Sequence, residues 1–177
     1  STIPQDKFSY ALNSILPPDI RISKSEGVSD EFHARFGAKG KHYKYVIYNY
    51  PHASAVLGRY SMHVPKELCV EKMQKAAEFF KGTHDFIGFS SAGRQTKTTV
   101  RNLSGIKISK KDRVLELDFY GEGFLYNMVR IISGTLVYVG LRKISEKDIP
   151  KIIESKKREN AGITAPPKGL FLWEVYY

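Results

Sequence analysis

The hydrophobic and polar positions of residues 41–48 alternate with a period of two, in the order KHYKYVIY. Such alternation in a stretch rich in Tyr, Val and Ile is typical of a half-buried β-strand. It predicts a strand that carries Tyr43, Tyr45 and Ile47 on one face.

Other stretches of the chain also have strand character. They are residues 20–25, 101–109, 114–120 and 169–177. A polar sequence, Lys110-Lys111-Asp112-Arg113, separates the second from the third, so we expect these two strands to form a hairpin.

Apolar residues spaced as on a helix surface predict four helices. They are a short helix opened by Pro4, a helix with Cys69, Met73, Ala76, Ala77 and Phe80 on one stripe that ends at Gly82, a strongly apolar helix over residues 124–139, and a helix capped by Ser145.

Apart from the leading helix and strand and the helix after Ser145, the predicted order is strand, helix, strand, strand, helix, strand. This is the split β-α-β-β-α-β, ferredoxin-like arrangement, which RNA-recognition motifs also use. We therefore expect an α+β fold in which an antiparallel sheet carries helices on one face and leaves the other face available.

The net charge of +10 favours a polyanionic partner, because cations placed on phosphates release condensed counterions. Nucleic acid is the first candidate and an anionic membrane surface the second. No apolar run is long enough to cross a bilayer and no basic-then-apolar leader opens the sequence, so we expect a cytoplasmic protein.

A metal site is not expected. The single cysteine, Cys69, excludes an internal disulfide and every multi-cysteine zinc pattern, and the five histidines show no ligand spacing.

The first predicted strand and the residues before it interleave cations with aromatic rings. The cations are Arg35, Lys39, Lys41, His42 and Lys44, and the rings are Phe36, Tyr43, Tyr45 and Tyr48. Cations bind phosphates and aromatic faces stack on unpaired bases, so this pattern is typical of an RNA surface. An ordinary strand with its tyrosines packed inside explains the same residues about equally well.

Further candidates for RNA contact lie near residues 84–99, which are rich in Ser, Thr and Gly and predict an exposed basic loop. They are Arg94, Lys97 and Arg101.

Arg130 lies within MVRII on a predicted helix that is otherwise almost wholly apolar. A guanidinium is not buried cheaply without an anionic partner. Two interpretations are open: a core ion pair with Asp118, Glu116 or Asp85, or an arginine that positions a catalytic carboxylate and keeps it ionised.

Four segments in chain order together resemble the tRNA pseudouridine synthase A (TruA-type) family. They are FHARFGAKGKHYKYVIYN, GTHDFIGF, GFLYNMVRIISGTLVYVG and AGITAPPKGLFL. The resemblance, which runs from about Ala11 to the last residue, implies an enzyme that converts uridines at positions 38 to 40 of the tRNA anticodon stem-loop into pseudouridine. It further implies that the reaction needs no cofactor and that the full-length protein is a homodimer.

The resemblance also implies roles for individual residues. Tyr43, the first tyrosine of Tyr-Lys-Tyr, packs against the target uridine, and Arg130 pairs with the catalytic aspartate. Leu172 maps to an apolar segment that lines the uracil pocket, although a plain core leucine is the competing account. Because the target base must leave the stack, cations that hold the RNA backbone are expected beside it. They are Arg35, Lys39, Lys41, Lys44, Arg94, Lys97 and Arg101.

One part of the family pattern is missing. TruA-type enzymes use an aspartate in an Arg-Thr-Asp-Ala-Gly motif located before the segment equivalent to Ser1, and the 177 residues do not contain that motif. We therefore expect residues 1–30 to be a connecting helix and short strand from a missing N-terminal half, and residues 31–177 to be the C-terminal pseudouridine synthase domain. On this interpretation the chain alone is catalytically incompetent.

The alternative function is a noncatalytic RNA-binding module of the RNA-recognition type, which fits the charge, the topology and the missing nucleophile. However, the sequence lacks the glycine-aromatic signature of those modules, and this alternative gives Arg130 no role. A scaffold domain is a third possibility, and it predicts cations spread widely without a pocket beside Tyr43.

Overall fold

The computed structural model describes residues 2–93 and 96–177. These fall into two compact units, one ending at Gly37 and the other comprising Ala38–Tyr177.

The first unit contains a short helix, α1 (Phe8–Asn13), preceded by a 3-10 turn at Gln5–Lys7. The strand expected at residues 20–25 is not formed. The side-chain amide of Asn13 donates to the carbonyl of Ile22 and accepts from its N–H, both at 2.8 Å. A side chain thus satisfies the backbone groups that a neighbouring strand would otherwise bond.

The second unit is built on one six-stranded sheet. Its strands are β1 (Gly40–Asn49), β2 (Met62–Val64), β3 (Gly82–Asp85), β4 (Val100–Lys111), β5 (Val114–Gly121) and β6 (Leu170–Tyr176). The strand order is β2-β1-β5-β4-β3, and β6 pairs with the first half of β1. Only the β1–β2 pair is parallel among the described pairs.

Helices cover one face of this sheet. They are α2 (Val70–Glu78), α3 (Met128–Gly140) and α4 (Ile149–Ser155), with 3-10 turns at Leu57–Arg59, Ile87–Phe89, Glu146–Asp148, Arg158–Asn160 and Pro167–Gly169. Their apolar residues share a single buried core with Tyr45 and Ile47 of β1 and with Leu115, Leu117 and Phe119 of β5. The expected α+β fold, with a split β-α-β-β-α-β order, is confirmed.

The predicted strand boundaries are close to the observed ones, but β2 and β3 were not predicted. A three-residue strand, MHV, and a polar one, GTHD, carry too little alternation to be recognised. The stripe on α2 is confirmed, because Met73, Ala76 and Ala77 are buried.

The apolar helix begins later than expected. Asn127 adopts a left-handed conformation with φ of 61°, so α3 starts at Met128 rather than near residue 124. Arg130 therefore lies in the first helical turn, where the backbone N–H groups have no partner within the helix.

Candidate active site

Tyr43 and Leu172, which are far apart in the sequence, lie directly opposite each other on β1 and β6. Opposed residues of an antiparallel pair point to the same face, so their side chains are neighbours. The Tyr43 ring is half-buried, and it meets Phe124 edge-on with 5.1 Å between ring centroids. Burial raises the pKa of the Tyr43 phenol. Leu172 is 54% exposed, so it is not a core leucine but part of an accessible apolar surface beside Tyr43.

The Arg130 side chain is held by two hydrogen bonds. Its Nε donates to the carbonyl of Ala165 at 2.7 Å, and its Nη1 donates to Oδ1 of Asn127 at 2.8 Å. The Asn127 amide in turn donates to Oγ of Ser91 at 3.0 Å. The guanidinium is thus fixed in orientation before any ligand arrives.

None of the described carboxylates pairs with Arg130, so the interpretation as a core ion pair is wrong. The three carboxylates considered for it bond elsewhere: Asp118 to His42 at 2.7 Å, Glu116 to Lys44 at 2.7 Å and Asp85 to Lys156 at 3.0 Å. Within the described ranges, the Nη2 atom of Arg130 has no hydrogen-bond partner.

Tyr45 links β1, which carries Tyr43, to the loop segment that binds Arg130 of α3. It lies two residues after Tyr43 on the same face of β1 and is fully buried. Its hydroxyl donates to the carbonyl of Pro166 at 2.7 Å, next to the Ala165 carbonyl that Arg130 holds. Burial raises the pKa of the Tyr45 phenol, and the positive charge of Arg130 acts against that shift. Tyr43, Leu172 and Arg130 therefore belong to one side of the sheet.

Lys39 and Lys41 lie where β1 begins. They line a surface cavity of about 270 Å³ together with Tyr120 and Tyr176. Neither lysine has an acidic partner within salt-bridge distance among the residues that the structure describes. Both cations are available to a phosphate.

Lys44 differs from these two lysines because it has partners inside the fold. Its ammonium lies 2.7 Å from Glu116 and 3.9 Å from Asp118, and 4.1 Å from the ring centroid of Trp173. The hydrogen bond to Glu116 is the main cause of its raised pKa.

The remaining basic candidates are scattered. Arg35 belongs to the unit that ends at Gly37, where its guanidinium lies over the Phe36 ring. Arg101 donates to the backbone carbonyls of Thr98 and Val100 at 3.0 and 2.6 Å, and Lys97 is exposed. Arg94 lies outside the described residues.

Sequence reasoning missed the residues that support the site. Phe124, Ser91 and Ala165 come from three loops, and no pattern in the sequence connects them. His42 was grouped with the candidate cations, yet it is buried against Asp118. Asn127 beside the Arg130 turn was the one available signal, since Asn tolerates the left-handed conformation.

The described residues show neither a membrane-spanning helix nor a metal cluster. They contain no helix long and apolar enough to span a membrane, and no group of three or more His, Cys, Asp or Glu side chains placed to hold a metal ion.

Known proteins resemble this chain over its whole length. The sequence profile of a family described as tRNA pseudouridine synthase matches residues 76–177. Proteins named tRNA pseudouridine synthase A from Ruminiclostridium cellulolyticum and Acetivibrio thermocellus are 54% and 52% identical to it. Both alignments cover 100% of this chain, and 73% and 72% of the relatives. A third relative of the same name, from Bacillus licheniformis, is 47% identical over 99% of the chain and 71% of its own length. With its Tyr43 strand, its Arg130 helix and this identity, the chain belongs to the tRNA pseudouridine synthase A family.

Proposed function

We propose that the protein containing this chain isomerises uridine to pseudouridine at positions 38 to 40 of the tRNA anticodon stem-loop. Its family membership supports this activity, and so does the grouping of Tyr43, Leu172 and Arg130 on one side of the sheet. The noncatalytic RNA-recognition module is not favoured, because the relatives that cover the whole chain are named as an enzyme.

The observation that carries this proposal is the state of Arg130. Two hydrogen bonds hold the guanidinium, and no described carboxylate neutralises it. It lies in the first turn of α3, where the helix dipole also favours a negative charge. Arginine and helix terminus together form a place prepared for a carboxylate, and they would keep that carboxylate ionised.

The reaction breaks the glycosidic bond between N1 of uracil and C1′ of the ribose and forms a bond from C5 to C1′. N1 gains a proton and C5 loses one, so the substrate and the product are isomers. The uracil must leave the base stack and turn while it is detached. We propose that Tyr43 stacks on the uracil, that Leu172 closes the apolar side of the pocket, and that Arg130 orients the nucleophilic carboxylate.

The nucleophile itself is proposed to come from outside these 177 residues, from an Arg-Thr-Asp-Ala-Gly motif that they do not contain. Asp118 is the most buried described aspartate, but it does not fit the role of nucleophile because its carboxylate already contacts His42 and Lys44. On this proposal residues 1–30 connect to the segment with that motif, and residues 31–177 are the C-terminal domain.

The test is pseudouridine formation on unmodified tRNA. We expect none from the 177-residue chain, and turnover from a chain extended upstream by the family segment that contains Arg-Thr-Asp-Ala-Gly. Arg130→Met in the extended chain should abolish turnover. Appreciable turnover by the 177 residues alone would show that another residue is the nucleophile and would overturn the assignment.

We further propose a cytoplasmic homodimer that needs no cofactor, metal or membrane, with Lys39 and Lys41 holding the RNA backbone. The family resemblance motivates the dimer, and light scattering of the extended chain tests it. A monomer at micromolar concentration would contradict it.

A further inference from the structure

Directly behind Tyr43, on the opposite face of β1, lies a buried pair of ionisable side chains. Nε2 of His42 is 2.7 Å from Oδ1 of Asp118, and the two residues are only 6% and 8% exposed. The His42 ring stacks on Tyr120 with 4.3 Å between centroids and 22° between planes. The proposed chemistry uses neither His42 nor Asp118.

Lys44 extends this network on the other side of Tyr43. Its ammonium bonds Glu116, approaches Asp118 to 3.9 Å and lies over the ring of Trp173. Successive residues of a strand point to opposite faces, so the side chains of residues 42 and 44 are clamped on one face while Tyr43 projects from the other. The backbone that carries Tyr43 is therefore held by side-chain contacts of the residue before it and of the residue after it.

The pairing of β1 with β6 is irregular at this point. His42 is opposite Glu174 and Tyr43 is opposite Leu172, so Trp173 is an extra residue on β6. Such a bulge re-aims the side chains around it and is frequent beside active sites. Here it places Leu172 opposite Tyr43, with Trp173 contacting Lys44.

We infer that His42, through its bond to Asp118, is a positioning residue that sets the orientation of the Tyr43 ring. His42 does not touch the uracil, because it projects from the other face of the sheet. The inference rests on the proposed stacking role of Tyr43.

The main test compares two substitutions of His42 with a control on the same strand. His42→Phe keeps a ring for Tyr120 but removes the donor to Asp118, whereas His42→Gln keeps an N–H within reach of Asp118. The control, Asn49→Ala, removes a buried side chain at the far end of β1 that donates to the carbonyls of Val64 and Lys66 at 2.9 and 2.7 Å. Both sites lose buried hydrogen bonds, but only one lies behind Tyr43.

In the extended chain, His42→Phe should lower kcat at least about tenfold and weaken RNA binding less than Tyr43→Ala does, because a misplaced Tyr43 ring keeps part of its contact with the uracil but no longer aligns it for reaction. His42→Gln should recover most of the lost kcat. Asn49→Ala should lower Tm and leave kcat unchanged at temperatures where it is folded. An unchanged kcat in His42→Phe, or an equal loss in Asn49→Ala, overturns the inference.

A second measurement uses the 177-residue chain and does not depend on turnover. A single 3-fluorotyrosine at position 43 should give a sharp, shifted 19F signal in the unsubstituted chain and in Asn49→Ala. In Asp118→Leu, which removes the acceptor of the His42 bond and serves if His42→Phe does not fold, the signal should move toward that of free fluorotyrosine. An unmoved signal overturns the inference. If the extended chain forms no pseudouridine but the 19F signal moves as expected, the proposed function fails and the positioning of Tyr43 by His42 stands.

Discussion

Arg130 shows how a charged side chain can be accommodated in an apolar setting without an ion pair. Its Nε and Nη1 satisfy Ala165 and Asn127, and these bonds use only part of its five-donor fork. The remaining donors have no partner among the described residues and can bind a carboxylate bidentately. Lysine has the same charge but no fixed fork, so the exchange is not conservative here.

Arg130→Lys should therefore lower the free energy of unfolding of this chain by about 1 to 2 kcal/mol, the value of one or two neutral-acceptor hydrogen bonds. Urea unfolding followed by circular dichroism measures it. The matched control is Arg59→Lys, at an exposed arginine. Equal midpoints for the two variants would mean that the two bonds contribute nothing.

Tyr43 supports a second prediction at this scale. Tyr43→Ala should weaken binding of an anticodon stem-loop RNA by about 1 to 3 kcal/mol, because one base loses its stacking partner. Fluorescence anisotropy of labelled RNA measures the loss, with Tyr60→Ala as the control because Tyr60 is an exposed tyrosine outside the site. Equal affinities for Tyr43→Ala and the unsubstituted chain would remove Tyr43 as the stacking residue.

The residues that come together at the candidate site were partly predictable from sequence. The segments around Tyr43, Arg130 and Leu172 identified the family, and an Arg on an apolar helix signalled a missing partner. Which residues support them was not predictable, because Ala165 meets Arg130 only after distant loops fold together. The opposition of Tyr43 and Leu172 depends on a bulge, which shifts register by one residue and leaves no mark in the hydrophobic pattern.

At the scale of elements, α3 packs unusually close to the loop that follows α4. A Cβ added to Gly134 would lie 1.9 Å from the carbonyl oxygen of Ile163, a backbone atom that cannot move aside cheaply. The carbonyl of Arg130, one turn earlier, accepts from the N–H of Ala165 at 3.1 Å. This close approach holds residues 163–165 beside the arginine.

Gly134→Ala should therefore destabilise the chain by about 1 to 3 kcal/mol through overpacking, against the usual gain for Ala in a helix. Thermal unfolding measures it, and Gly58→Ala is the control because a methyl group added there would have no neighbour within 4 Å among the described residues. A Tm for Gly134→Ala at or above that of the unsubstituted chain would contradict this packing.

Asp85, the last residue of β3, has several hydrogen-bond and ion-pair partners, so its protonation makes the stability of the fold depend on pH. Thr99 Oγ1 donates to its Oδ1 at 2.6 Å, Lys156 lies 3.0 Å from Oδ2, and the N–H of Ile87 donates to Oδ1 at 3.2 Å. These contacts, the Thr99 bond foremost, hold the pKa of Asp85 below its ordinary value. A depressed carboxyl pKa stabilises the fold above the pKa of the unfolded chain, and this contribution is lost as pH falls through the folded value.

Asp85→Asn should consequently be less stable than the unsubstituted chain at pH 7, and the difference should shrink as pH falls below about 4, the ordinary range of an Asp carboxyl. Urea unfolding from pH 7 to 3 tests this, with Asp112→Asn at the β4–β5 turn as the control. A difference that stays constant over this range would show that the Asp85 charge does not stabilise the fold.

Elements were predicted well where the pattern was long and poorly where it was short. The alternation of β1 and of the β4–β5 hairpin located those strands within one or two residues. The start of α3 was misplaced because Phe124 and Leu125 continue the apolar run, while a left-handed Asn127 interrupts the backbone.

For the whole molecule, the question is how much of the net charge of +10 faces RNA. Lys39 and Lys41 have no described acidic partner, whereas Lys44 is bound to Glu116. Only unpaired cations release counterions when they meet phosphates, so we expect Lys39 and Lys41 to contribute to the salt dependence of RNA binding and Lys44 not to.

Lys39→Gln and Lys41→Gln should each reduce the slope of log K against log salt for anticodon stem-loop RNA by about 0.7 to 0.9. Lys44→Gln should leave the slope unchanged and lower the stability of the fold instead. Anisotropy titrations from low to moderate salt measure the slopes. A reduced slope for Lys44→Gln would mean that Lys44 leaves Glu116 to bind RNA.

The pairing of Tyr43 with Leu172 also has a consequence for synthesis, because β1 is made long before its partner strand β6. The two residues are 172 − 43 = 129 positions apart. At about 5 to 20 residues per second, a ribosome takes roughly 6 to 26 seconds to add the second after the first. Through that interval the β1 edge that β6 will occupy has no partner strand from residues 170–176, and its backbone groups are open to other chains. Slowed elongation between these residues should therefore increase misassembly of the nascent chain, while the chains that fold correctly keep the properties of the finished protein.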